Sequence, residues 1–153
     1  MIDPQRQWAI QIDVTNACTR ACSNCTRLVG HGPTFDMRLE QVRAALVAVR
    51  TFPTDSPAAE HVPFKLVGII GGEPLLHPKF PEICEEMTRY LPKEHRGLWT
   101  GLRWQASKHA DIICETFSER GIHNNRHDTP CRHSPVLVAC SDAIGDQEER
   151  AAV

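Results

Sequence analysis

The stretch FKLVGIIGGEPLLHP, residues 64–78, contains a clear strand pattern followed by a loop motif. Its first half, residues 64–70, is short and almost wholly apolar, which is typical of a β-strand covered on both faces. Two glycines and a glutamate follow, so the strand ends in a loop. A strand that is buried on both faces indicates a parallel sheet with helices packed against it.

Strand-like and helix-like patterns alternate on either side of this stretch. The strand-like segments are residues 8–14, 64–70, 97–102 and 135–140. The helix-like segments, each with an apolar stripe, are residues 37–50, 79–91 and 107–117. Residues 118–133 are polar and are predicted to be irregular. This order indicates parallel strands with right-handed crossovers, and we expect a single α/β domain over residues 1–153.

Composition excludes several classes of protein. Of 153 residues, 41% are hydrophobic and 24% are charged, as in an ordinary globular domain. The net charge of −2 gives no broad basic surface, so a nucleic-acid partner is not expected. We expect neither a signal peptide nor a membrane partner, because the chain has no apolar run of the required length. The seven cysteines are then expected in a reducing cytoplasm, where clustered cysteines indicate metal or redox chemistry.

Three of the cysteines follow the first predicted strand directly. Cys18, Cys22 and Cys25 are separated by three and two residues. Three thiolates on one loop can each hold one iron of a [4Fe–4S] cluster, which leaves the fourth iron open to another ligand. Spacing alone leaves two alternatives open: a zinc ion bound by the three cysteines and His31, or reactive thiols without a metal.

A second motif, Gly71-Gly72-Glu73-Pro74, ends the second predicted strand. The glycines are interpreted as allowing the backbone to approach a ligand closely. Glu73 offers a carboxylate to a cationic group, and Pro74 stiffens the turn by fixing φ. In a parallel sheet the ends of the first two strands are neighbours, so this loop is expected to face the cysteines.

Together, in this order, the two motifs resemble the radical S-adenosylmethionine (radical SAM) enzymes. The resemblance implies that Cys18, Cys22 and Cys25 hold a [4Fe–4S] cluster, and that SAM chelates the open iron. It implies that the motif formed by Gly71, Gly72, Glu73 and Pro74 binds the amino group of SAM. One electron from the cluster would then cleave SAM to a 5′-deoxyadenosyl radical, which removes a hydrogen atom from a substrate that the sequence does not identify.

The same resemblance implies a fold and a partner. The fold would be a parallel-stranded partial TIM-type barrel, the radical SAM core, incomplete at the C-terminal side. The partner would be a small electron donor such as a flavodoxin or a ferredoxin, and the activity would be oxidoreductase-like. Two other functions stay open: a non-enzymatic zinc-binding interaction module that uses Cys18, Cys22, Cys25 and His31, or an inactive truncated fragment.

A few further residues attract attention. A second metal site or a substrate contact could be built from His123, His127, Cys131 and His133. Cys84 and Cys114 fall on or beside helical stripes and are predicted to be small buried apolar residues. His77 is predicted in the turn that starts the second helix, with Pro78 near the first helical position. Thr100 lies near the end of the third predicted strand, in the region expected for SAM.

Overall fold

A computed structural model describes residues 9–19, 25, 33–52, 64–101, 108–118 and 121–124. Its strands are β1 (Ala9–Thr15), β2 (Leu66–Gly71), β3 (Arg96–Thr100) and β4 (Ile122–Asn124). They form one sheet in the order β1-β2-β3-β4, and every neighbouring pair is parallel. The helices are α1 (Leu39–Arg50), α2 (Phe80–Tyr90) and α3 (Ala110–Thr116). The predicted α/β class and the parallel strands are confirmed, while the TIM-type barrel stays a prediction.

The core lies between the helices and one face of the sheet. The helices contribute the apolar stripes that their sequence periodicity predicts, and alternate strand residues meet them. The buried helix residues include Val42, Leu46, Val49, Phe80, Ile83, Met87 and Ile113. The buried strand residues include Ile12, Val14, Val67, Ile69, Leu98 and Ile122. Because all neighbouring strands are parallel, the carboxyl ends of all four lie at the same edge of the sheet.

The prediction for the fourth strand differs from the structure. Residues 118–133 were expected to be irregular, but Ile122–Asn124 within them form β4 and pair with Leu98–Thr100 of β3. A strand of three residues is too short for a readable alternation of apolar and polar side chains. Backbone pairing and the burial of Ile122 hold it in place instead. The strand predicted at 135–140 lies outside the described residues, as do His127, Cys131 and His133.

The start of α2 agrees to within one residue with the predicted helix at residues 79–91. Residues Pro74–Leu76 form a short 3-10 turn, and α2 begins at Phe80 with Pro81 in its first turn. Pro78, which was expected near the first helical position, precedes the helix. His77 lies in the turn directly before the helix, as predicted, and its ring accepts a hydrogen bond from the backbone amide of Lys79.

Two charged contacts tie the helices together. Arg43 of α1 donates two hydrogen bonds, of 3.1 and 2.7 Å, to the buried carboxylate of Glu86 in α2, and this guanidinium lowers the pKa of Glu86. At the amino end of β3, the buried guanidinium of Arg96 donates to the carbonyls of Thr88, Leu91 and Thr116. These carbonyls lie at the carboxyl ends of α2 and α3, where the helix dipoles favour a cation.

Within the described residues, no helix is long and apolar enough to span a membrane.

Candidate functional site

The carboxyl ends of β1 and β2 are joined backbone to backbone. The amide of Gly72 donates a 2.8 Å hydrogen bond to the carbonyl of Thr15, and the amide of Glu73 donates another of 2.8 Å to the carbonyl of Ala17. The register shifts near the end of β1, between Asp13 and Thr15. The pairing therefore continues past β1 as far as the residue before Cys18, so the segment that leads into Cys18 lies against the 71–74 loop.

The two glycines of this site make room for the protein chain. A Cβ atom on Gly71 would collide with the carbonyl oxygen of Thr15, and one on Gly72 would collide with that of Ala17. Gly71 also has a φ of 155°, which other residues rarely adopt. From the sequence, we interpreted these glycines as letting the backbone approach a ligand. In the structure, they let the 71–74 loop approach the segment that leads into the cysteines.

The chain that carries the three cysteines is tied at both of its ends. The side chain of Asn16 donates to the carbonyl of Pro33 at 2.8 Å and accepts from the amide of Phe35 at 2.7 Å. The amide of Met37 donates to the carbonyl of Val14 at 2.8 Å. We call residues 33–37 the return segment. Its contacts with the end of β1 close the base of the cysteine-bearing loop.

His77 connects the return segment to the second motif. Its Nδ1 accepts a 3.0 Å hydrogen bond from the amide of Lys79, so the proton of the neutral ring is on Nε2. Nε2 lies 3.0 Å from the carbonyl oxygen of Met37 and donates to it. This buried histidine therefore positions the return segment beside the 71–74 loop, a role that its place in the sequence did not reveal.

The carboxylate of Glu73 is buried beneath the end of β3, with only 4% of the residue exposed. Oε1 accepts from the hydroxyl of Thr100 at 2.5 Å and from the amide of Leu75 at 3.4 Å. Oε2 accepts from the amide of Gly101 at 2.8 Å. All three donors are neutral. Among the residues that the structure describes, no lysine, arginine or histidine forms an ion pair with Glu73.

Known proteins add no family to this picture. Neither a scan against protein-family models nor a search of the curated proteins found a match to this chain. Its function is therefore inferred from its own residues and from the resemblance of its two motifs.

The predicted iron ligands are described only in part. Cys18 and Cys25 are half-buried thiols, whereas Cys22 and the rival zinc ligand His31 lie outside the described residues. Within the described part of the chain, no three His, Cys, Asp or Glu residues are grouped as metal ligands. The set Cys18, Cys22 and Cys25 thus stays a prediction, and so does a metal or substrate role for His123.

The remaining described cysteines lie away from this site. Cys84 is fully buried in α2, as predicted, and burial raises the pKa of its thiol to about 12. Cys114 was predicted to be a small buried apolar residue, but it is half-buried against the core and disulfide-bonded.

Two features of the site could not be found from side-chain types alone. Thr100 was expected only to lie in the right region, yet its hydroxyl is one of the donors to Glu73. The other strong donor is the backbone amide of Gly101, which any residue except proline could provide. The pairing of β2 with β3 puts both donors beside the 71–74 loop, and this pairing is the signal that could have located them.

Proposed function

We propose that this chain is a radical SAM enzyme that binds a [4Fe–4S] cluster through Cys18, Cys22 and Cys25. SAM would bind at the open iron, with its amino group held by the loop of Gly71, Gly72, Glu73 and Pro74. The observation that carries this proposal is the buried carboxylate of Glu73, which has neutral donors but no cationic partner among the described residues.

The charge on Glu73 is the first reason. Burying an ionised carboxylate costs several kcal/mol, roughly, unless hydrogen bonds and an opposite charge offset that cost. Thr100, Gly101 and Leu75 supply hydrogen bonds but no positive charge. The amino group of SAM is an ammonium, and it would supply the missing charge at this position.

The second reason is the hydrogen bond between the two backbone segments that carry the motifs. Ala17, which immediately precedes Cys18, accepts the hydrogen bond of the Glu73 amide. The first predicted iron ligand and the acceptor for the amino group are therefore held on paired segments rather than on independent loops. A functional site needs such mutual positioning, since small displacements weaken binding and catalysis strongly.

These contacts indicate which part of the reaction the protein would perform and which part its cofactors would perform. When bound, the cluster and SAM would supply one-electron reductive cleavage of SAM and thus a radical that takes a hydrogen atom from substrate. The chain's own residues bind the two groups and orient them. The electron would come from a small reductant protein, a flavodoxin or a ferredoxin.

Anaerobic reconstitution of the full chain with iron and sulfide tests the proposal. We expect about four irons per chain, as for one [4Fe–4S] cluster. Separate Cys18→Ala, Cys22→Ala and Cys25→Ala variants should lose most of this iron. Cys84→Ala is the matched control, because its thiol is buried in the core, and it should keep the iron.

Two results would contradict the proposal. A colourless protein that holds zinc, and loses it on His31→Ala substitution, would identify the zinc-binding interaction module instead. A reconstituted cluster that does not respond to SAM would identify an inactive fragment.

A further inference from the structure

Thr100 is the last residue of β3 and is only 1% exposed. Its hydroxyl lies 2.5 Å from Oε1 of Glu73, which is the shortest hydrogen bond to that carboxylate. An ionised carboxylate can only accept, so the hydroxyl of Thr100 donates. Hydrogen bonds to a charged group are roughly twice as strong as those between neutral groups.

The other two donors do not replace this contact. The amide of Gly101 binds Oε2, the opposite oxygen. The amide of Leu75 reaches Oε1 at 3.4 Å, at the long end of the hydrogen-bond range. Among the described residues, the amide of Leu75 would be the one donor left to Oε1 if the hydroxyl of Thr100 were removed, and the carboxylate could rotate about its last side-chain bond.

The backbone gives Thr100 a fixed position. It is a β-branched residue in a strand, which restricts its first side-chain torsion. β3 is parallel to β2, the strand from which the 71–74 loop emerges. The hydroxyl of Thr100 therefore ties the end of β3 to the carboxylate of Glu73, in the loop that follows β2.

We propose that Thr100 is a positioning residue for SAM, which acts through Glu73 by fixing the orientation of its carboxylate toward the amino group. The inference rests on the function proposed above and adds a residue from a third strand to the SAM site. Thr100 itself does not have to touch SAM.

Two substitutions separate the hydroxyl from the shape of the side chain. Thr100→Val keeps the branched shape and removes the donor, whereas Thr100→Ser keeps the donor and removes a methyl group. SAM affinity is measured anaerobically on the reconstituted full chain, by titrating SAM and following the electron paramagnetic resonance spectrum of the reduced cluster. Iron per chain and the thermal unfolding midpoint are measured on the same samples.

We expect Thr100→Val to bind SAM about tenfold more weakly than the wild type, with unchanged iron content. Thr100→Ser should stay within about threefold of the wild type, since it retains the charge-assisted hydrogen bond. Equal SAM affinity in Thr100→Val and wild type would overturn the inference and leave the proposed function standing.

Other results are also decisive. If Thr100→Val loses iron in step with SAM binding, Thr100 has a structural role and the inference is wrong. The same holds if Thr100→Ser binds SAM as weakly as Thr100→Val. If the wild-type cluster forms without any response to SAM, the proposed function fails first, and the inference fails with it.

Discussion

The backbone amide of Glu73 donates a 2.8 Å hydrogen bond to the carbonyl of Ala17, immediately before Cys18. This one contact joins two motifs that are far apart in the sequence. It also explains why the loop needs glycines: Gly71 and Gly72 let the two segments come within hydrogen-bonding distance. A substitution in the 71–74 loop should therefore displace the segment that leads into Cys18, and we expect it to change iron binding at the predicted cluster.

Gly72→Ala should lower the amount of iron bound per folded chain. The new methyl group would collide with the carbonyl of Ala17 and displace the segment that leads to Cys18. Gly121→Ala is a matched control, because its methyl group would collide with the carbonyl of Arg96 at the opposite end of the sheet. Both variants should lose about 1–3 kcal/mol of unfolding free energy. Only Gly72→Ala should lose iron, and equal iron loss in both would show that the effect is general destabilisation.

Asn16→Ala should loosen the closure of the cysteine-bearing loop. The substitution removes the hydrogen bonds to Pro33 and Phe35, which are worth about 1 kcal/mol each at an accessible position. Iron should then pass to a chelator faster than from the wild type. Thr51→Ala, which removes one accessible hydrogen bond at the end of α1, serves as control and should leave this rate unchanged. An unchanged rate in Asn16→Ala would mean that the return segment does not hold the loop.

The order of strands and helices could be predicted because a long pattern of apolar residues indicates which face of a helix or strand is buried. The stripes of α1 and α2 and the nearly all-apolar β2 gave three of these elements to within a few residues. The sequence pattern misplaced β4, because Ile122–Asn124 is held by pairing with β3 rather than by a pattern of its own. Short edge strands depend on tertiary contacts that no local pattern contains.

Replacing Arg96 with methionine should destabilise the fold strongly while sparing the site. The carbonyls of Thr88, Leu91 and Thr116 would lose a buried donor, and the expected cost is about 3 kcal/mol or more. Arg50→Met is the control, since Arg50 is exposed and donates to one carbonyl, and it should change stability by less than about 0.5 kcal/mol. Urea unfolding measures both. Similar losses in the two variants would contradict a special role for the buried guanidinium.

Glu86→Gln should change how stability depends on pH. Arg43 lowers the pKa of Glu86 below its ordinary value of 4.5, so the carboxylate stabilises the native state above that pH. This stabilisation is lost as the pH falls through the lowered pKa. The variant should therefore be less stable than the wild type at neutral pH, and the difference should shrink in acid. Urea unfolding over a series of pH values measures it, and a difference that does not depend on pH would rule out the ion pair as its cause.

The site was predictable only where chemistry is carried by residue type. The cysteine spacing and the glutamate after two glycines stand out in the sequence, so both motifs could be found. The donors to Glu73 could not, because one is a backbone amide and the other is a threonine like many others. The link from His77 to Met37 depends on how the chain returns after the cysteines, which only the tertiary structure shows.

The most direct test of the central claim is the electron paramagnetic resonance spectrum of the reduced, iron-loaded chain with and without SAM. We expect SAM to shift the wild-type spectrum. We expect Glu73→Gln, which removes the buried charge but keeps the size of the side chain, to bind iron normally and to need at least about tenfold more SAM for the same shift. A wild-type spectrum that is identical with and without SAM, or a Glu73→Gln variant with unchanged SAM affinity, would contradict the central claim.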